Sequence, residues 1–166
     1  MEGGEMKIEE FFEIVPKLPG VRVYQFSDNY ESAKRLADFA KIRGFELQIV
    51  TFEEELFEKL KSLEDEDIKV RYITENRDKY NLRSIMYDTV FVNLDIDSLN
   101  DIEEFLKKIY RIMKNAANIV LPVDVEKRDE IKTLLERCNY VAVNDTSLEE
   151  KRVVFIGKKL HGWSKV

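Results

Sequence analysis

Residues 87–114 read YDTVFVNLDIDSLNDIEEFLKKIYRIMK, and their pattern decides the architecture. Thr89, Val90, Phe91, Val92, Asn93 and Leu94 form a run too continuous in its hydrophobicity to leave one face wet, which predicts a strand buried on both sides. The run breaks at Asp95-Ile96-Asp97-Ser98. Beyond it Leu99, Ile102, Leu106, Ile109 and Met113 recur at helical spacing and predict an amphipathic helix. A buried strand ending in carboxylates at a helix N-terminus is the unit of an open, mostly parallel α/β sheet, and ligands in such sheets sit just beyond the strand's C-terminal end.

The same unit repeats on either side. Upstream, Ile8, Phe11, Phe12 and Val15 share one face of an N-terminal helix within residues 1–20, ended by Pro16 and Pro19-Gly20. Residues 21–26 are the first strand, turning at Ser27-Asp28-Asn29 into a helix with Ala33, Leu36, Ala37 and Ala40. Asp28 and Glu31 have capping-box spacing, and Gly44 is the expected stop. Residues 45–50 are the second strand; Thr51 and Glu54 suggest a second capping box, before a helix with Leu56, Phe57, Leu60 and Leu63. After the acidic turn SLEDED comes the third strand, 68–73, and then a polar connection, 74–86, with room for a short helix.

Downstream, residues 119–123 are the fifth strand, and Ile131, Leu134, Leu135 and Cys138 mark the next helix face, which makes Cys138 a core residue rather than a nucleophile. Residues 140–143 and 152–157 are strand-like, with only a polar turn between them, so they pair antiparallel. The expectation is one domain, 1–166, built as a three-layer, doubly wound, mostly parallel seven-stranded sheet with a C-terminal antiparallel hairpin.

Composition narrows the function. No apolar run approaches the roughly 20 residues of a membrane span. The start, MEGGEMKIEE, lacks a basic segment followed by an apolar one, which points to the cytoplasm. One cysteine excludes an internal disulfide or a cysteine-rich zinc site. A net charge of −6 removes the simplest electrostatic reason for nucleic-acid binding. Arg77, Lys79 and Arg83 make one basic cluster, and Lys107, Lys108, Arg111 and Lys114 another, read as a solvated helix face. The 36% of charged residues, mostly Glu and Lys, suits a thermophile.

The order of elements resembles the class I S-adenosylmethionine-dependent methyltransferase family. YDTVFVNLD resembles its fourth strand, FLKKIYRIMKNAANIVL its following helix and fifth strand, and NYVAVND with RVVFIGKK its closing hairpin. The resemblance spans residues 21–159 and implies S-adenosylmethionine as cofactor and methyl transfer to an acceptor. It implies cofactor contacts from Phe26, Ser27 and Asp28 after the first strand, from Glu53 near the ribose, and from Thr74, Glu75 or Asn76 beside the adenine. Asn93 and Asp95, at the fourth strand's end, would position the acceptor. The family holds its cofactor on a glycine-rich turn after the first strand, so that bare backbone approaches the methionine part. Here that turn is Phe26-Ser27-Asp28-Asn29-Tyr30, and none of the chain's six glycines falls there. A non-catalytic interaction or regulatory module on the same fold is therefore the alternative.

Acids recur at strand ends: Asp28, Glu53, Glu75, Asp95, Asp97 and Asp124. Helix capping explains Asp28, Asp97 and Asp124, because acids satisfy orphan amides at helix starts. Asp95 precedes any expected helical position, so capping explains it less well. Asp95 and Asp97, two apart on an extended chain, could share a hard cation such as magnesium, a minor alternative. His161 and Trp163, each the only one of its type, sit in the tail 158–166, where an apolar tip docks on the surface.

Overall fold

A computed structural model describes residues 7–160. The strands are β1 (Arg22–Ser27), β2 (Glu46–Thr51), β3 (Ile68–Tyr72), β4 (Tyr87–Asn93), β5 (Met113–Asp124), β6 (Tyr140–Leu148) and β7 (Arg152–Lys159), and the helices α1 (Tyr30–Arg43), α2 (Glu54–Leu60), α3 (Ile102–Ile112) and α4 (Arg128–Arg137). The seven strands form one sheet in the order β3-β2-β1-β4-β5-β7-β6, in which β7 alone runs opposite to the other six. The order reverses between β1 and β4, which lie side by side with Ser27 opposite Asn93.

Two apolar layers hold helices against the sheet. On one face α1, α2 and a 3-10 turn, Ile8–Ile14, pack on Val23, Leu47, Ile49, Phe91 and Val120. On the other, α3, α4 and the connection 74–86 cover Tyr24, Phe26, Val90, Val92, Ile119 and Leu121. Side chains alternate along a strand, so each central strand feeds both layers, and this is why residues 89–94 carry no wet face.

Several boundaries move. The expected N-terminal helix is the 3-10 turn Ile8–Ile14. Residues 95–98 form a 3-10 turn rather than a helix start; α3 begins at Ile102 behind Asp101, whose carboxylate accepts from the Glu104 amide. Met113 is the first residue of β5, not the end of the helix. β6 runs on to Leu148, since pairs from Asn144–Ile156 to Leu148–Arg152 extend a segment whose polar side chains suggested a turn. Glu150 and Lys151 take positive φ in the tight connection. His161 and Trp163 lie outside the described residues.

The connection 74–86 contains no helix. Long-range bonds order it instead: Tyr24 Oη donates to Tyr80 O at 2.8 Å, Arg71 Nη2 to the same oxygen at 2.6 Å, and Arg111 Nη1 to Asn81 O at 2.7 Å. Lys108 lies 5.3 Å from the centre of the Tyr80 ring. Lys108 and Arg111, expected on a solvated face, thus hold this segment, because their long side chains reach carbonyls that no helix satisfies.

Candidate functional site

The site begins where β1 ends. Ser27 is fully buried, and its hydroxyl donates to Asn29 O at 2.7 Å and meets Ser32 Oγ at 2.8 Å. Asn29, not Asp28, caps α1: its Oδ1 accepts from the Ser32 amide at 2.8 Å. Asp28 faces β4. Its amide donates to Asn93 O at 3.1 Å, its Oδ2 accepts from the Asp95 amide at 2.9 Å, and its Oδ1 accepts from Asn29 Nδ2 at 3.0 Å. The capping expectation fails because the last β1–β4 backbone bond draws Asp28 across the sheet, one residue before the helix.

At the end of β4, half-buried Asn93 accepts at Oδ1 from Gln25 Nε2 over 2.7 Å. Asp95 caps the 3-10 turn through Oδ1, which takes the Asp97 amide. Asp97 caps nothing and pairs with Lys127 at 3.4 Å; Asp124 makes no side-chain cap and faces Arg152 at 3.5 Å. The two-apart geometry proposed for a cation depended on extended backbone, whereas residues 95–97 are turned. Among the described residues no three His, Cys, Asp or Glu side chains converge as metal ligands.

The expected cofactor residues on the other layer are occupied differently. Phe26 is fully buried, and its ring meets those of Phe52, Tyr80 and Phe105 at centroid distances of 5.7, 5.3 and 4.9 Å. This aromatic group fills the space between the ends of β1 and β2, α3 and the connection 74–86. Glu75 accepts at Oε2 from the Asn100 and Asp101 amides, at 2.8 and 3.0 Å, and so anchors the connection to the start of α3. Glu53 is exposed at the start of α2 with no side-chain capping bond, and Thr74 is exposed. Thr51 Oγ1 accepts from the Glu53 amide, so the second capping box does not form. Burial holds the Tyr24 and Tyr80 hydroxyls well above the usual tyrosine range; Arg71 opposes this at Tyr24, and Glu75 adds to it at Tyr80.

Asp28, Asn93 and Asp95 do come together. With Asn29, Ser32, Arg35, Leu94, Pro122, Asp124 and Arg152 they line a cleft of about 440 Å³ beyond β1, β4 and β5, on the α1 layer. Ile8, Arg35 and Arg152 also line an adjoining hollow of about 340 Å³. Phe26, Glu53, Thr74 and Glu75 are absent from the cleft lining. The sequence reading missed Gln25, Arg35, Arg152 and Tyr80. Only Gln25 carried a signal, as a lone amide inside an apolar strand.

No protein-family model and no curated protein matches the chain. Solved structures do. A SAM-dependent methyltransferase from Aquifex aeolicus is 19% identical, with 90% of this chain and 87% of that one covered and a TM-score of 0.71. A predicted O-methyltransferase from Agrobacterium tumefaciens is 15% identical over 95% and 82%, with a TM-score of 0.72. A Haloferax volcanii protein solved in complex with the Trm112 methyltransferase activator is 10% identical over 92% and 88%, with a TM-score of 0.73. The fold is that of the class I S-adenosylmethionine-dependent methyltransferases.

The residues present do not fit the cofactor as that family holds it. The turn after β1 carries side chains at Ser27, Asp28 and Asn29, and the Asp28 amide points to Asn93 O rather than outward. Glu75, the acid expected beside the adenine, is committed to the start of α3, and aromatic rings fill the layer beside it.

Proposed function

We propose that this chain is a methyltransferase-fold binding or regulatory module that has given up S-adenosylmethionine and works through the cleft beyond β1, β4 and β5. The observation that carries this reading is the commitment of the β1–α1 turn to β4, through Asp28 N to Asn93 O and Asp95 N to Asp28 Oδ2. A cofactor carboxylate bound at this turn would lose charge-assisted bonds worth roughly 1.5–3 kcal/mol each, and losing two weakens a micromolar site to about millimolar. The aromatic packing of Phe26, Phe52, Tyr80 and Phe105 supports the same reading from the adenosine side.

Methyl transfer to an acceptor in the cleft is the second reading. Asn93 and Asp95 favour it, since both line the cleft at the end of β4. Thermal unfolding with S-adenosylhomocysteine separates the two. A ligand present at about 100 times its dissociation constant adds roughly 2.7 kcal/mol of stability. The module reading expects at most a slight rise in melting temperature, under about 1 kcal/mol of added stability, at millimolar concentrations; a rise approaching the full roughly 2.7 kcal/mol restores the enzyme reading.

A further inference from the structure

The connection 74–86 and the elements beneath it gather cations that no carboxylate neutralises. Arg71 and Arg111 give their guanidinium donors to the carbonyls of Tyr80, Asn81 and Leu82, and Lys108 lies over the Tyr80 ring. Arg77 donates to Lys79 O at 3.1 Å, and the exposed side chains of Lys79 and Arg83 have no partner among the described residues. None of these six makes an ion pair there. The nearby acids do not balance them: Glu75 holds the Asn100 and Asp101 amides and Glu104 faces Lys107, which leaves Asp78. A chain of net charge −6 thus carries a cationic surface on the α3 layer.

The same connection turns two aliphatic side chains outward: Leu82 is 75% exposed and Ile85 57%. A solvent-facing aliphatic side chain is ordinary when it stands alone. Ile85 is different, because it takes φ 53°, a left-handed backbone that suits glycine or asparagine and strains a β-branched residue. Bonds to the last turn of α3 hold it there: Ile85 N donates to Arg111 O at 3.0 Å and Met86 N to Ile112 O at 2.8 Å. Arg111 Nη2 in turn donates to Leu82 O at 3.0 Å, so Leu82, Arg83 and Ile85 are fixed around one anchor. Binding to single-stranded nucleic acid needs exposed aromatic rings for base stacking, and the one ring of the connection, Tyr80, is fully buried. Aliphatic side chains set among unneutralised cations match an acidic protein segment instead.

We propose that residues 77–85 form a docking surface for an acidic, amphipathic segment of a partner protein, with Leu82 and Ile85 as apolar anchors and Arg77, Lys79 and Arg83 meeting its carboxylates. The surface lies on the opposite layer from the cleft, so its occupancy is independent of S-adenosylmethionine and of the module reading. The test titrates the full chain, at low salt, with a synthetic peptide of glutamate and leucine at helical spacing and follows the Leu82 and Ile85 methyl groups by NMR. Both are expected to shift, and added salt is expected to weaken the binding. An all-glutamate peptide and an oligouridylate of equal charge are expected to bind roughly tenfold more weakly. Leu82→Ser, at a side chain the fold leaves in solvent, is expected to weaken the glutamate–leucine peptide roughly tenfold with an unchanged urea midpoint, and Arg83→Gln to weaken it and flatten its salt dependence. No shift of either methyl group, or binding indifferent to Leu82→Ser, overturns the proposal. Equal binding of the all-glutamate peptide overturns it too, as charge alone, and tighter binding of the oligouridylate overturns it in favour of nucleic acid.

Discussion

The Asp95 amide donates to Asp28 Oδ2 at 2.9 Å, tying the turn after β1 to the turn after β4 where the strand order reverses. In an open α/β sheet that reversal opens a crevice for ligands. Here the same carboxylate also takes Asn29 Nδ2, so one side chain spans the mouth of the crevice and steadies the cap of α1.

Asp28→Ala removes that bridge and leaves the Asp95 amide unpaired. The expected loss is about 1–2 kcal/mol, read as a lower urea midpoint with an unchanged slope. Asp28→Asn keeps an acceptor oxygen and is expected to lose less. Equal stability of Asp28→Ala and the parent would show that the bridge holds nothing.

Tyr80 anchors the connection 74–86. Its ring is fully buried among aromatics, and its hydroxyl donates to Glu75 O at 2.7 Å. Tyr80→Phe is expected to cost about 1 kcal/mol, for the hydrogen bond alone. Tyr80→Ala is expected to cost about 3–5 kcal/mol, for the ring and the cavity it leaves. Urea unfolding of the two variants separates the contributions, and near-equal losses would place the ring outside the core.

How far the sequence carried this picture differs element by element. The central position of β4 was legible because residues 89–94 are apolar without alternation, and the closing hairpin because no helix fits between its strands. Helix starts were read one to four residues early. Asp28 and Asn29 are both good caps, and only the tertiary bond to Asn93 decides between them. Asp97 and Asp101 posed the same choice, with the 3-10 turn deciding for Asp101. The connection 74–86 has no period to read; its order comes from Tyr24, Arg71 and Arg111, distant in sequence. The co-location of Asp28, Asn93 and Asp95 followed from the topology, whereas Arg35 and Arg152 arrive from elements whose sequence marks them only as surface charge.

Burial favours the neutral hydroxyls of Tyr24 and Tyr80 in the folded state. A group whose folded pKa is raised contributes stability that is full below its unfolded value and is lost as pH rises above it. The part of the unfolding free energy that these two tyrosines supply is therefore expected to hold steady up to the ordinary tyrosine value of about 10 and to fall above it. A smaller fall, from the buried Cys138 thiol, begins earlier, near its ordinary value of about 8.5. Urea midpoints across that range, with phenolate absorbance in parallel, test this; ionisation of both residues at the ordinary value with no loss of stability would contradict it.

Cys138 is 2% exposed, with Sγ 3.7 Å from Glu103 O, and burial pushes its thiol up. The expected outcome is slow native-state labelling by a thiol reagent and fast labelling in urea. Rapid stoichiometric labelling of the native protein would place the thiol at the surface.

Calorimetric titration of the full chain with S-adenosylmethionine tests most directly the proposal that the cofactor site is closed. With the Asp28 amide bound to Asn93 O and the Phe26 ring packed against Tyr80, the expected result is no measurable heat of binding, or a dissociation constant near about 1 mM. A dissociation constant in the low micromolar range, abolished by Asp95→Ala or Glu53→Ala, would contradict it and restore the enzyme reading.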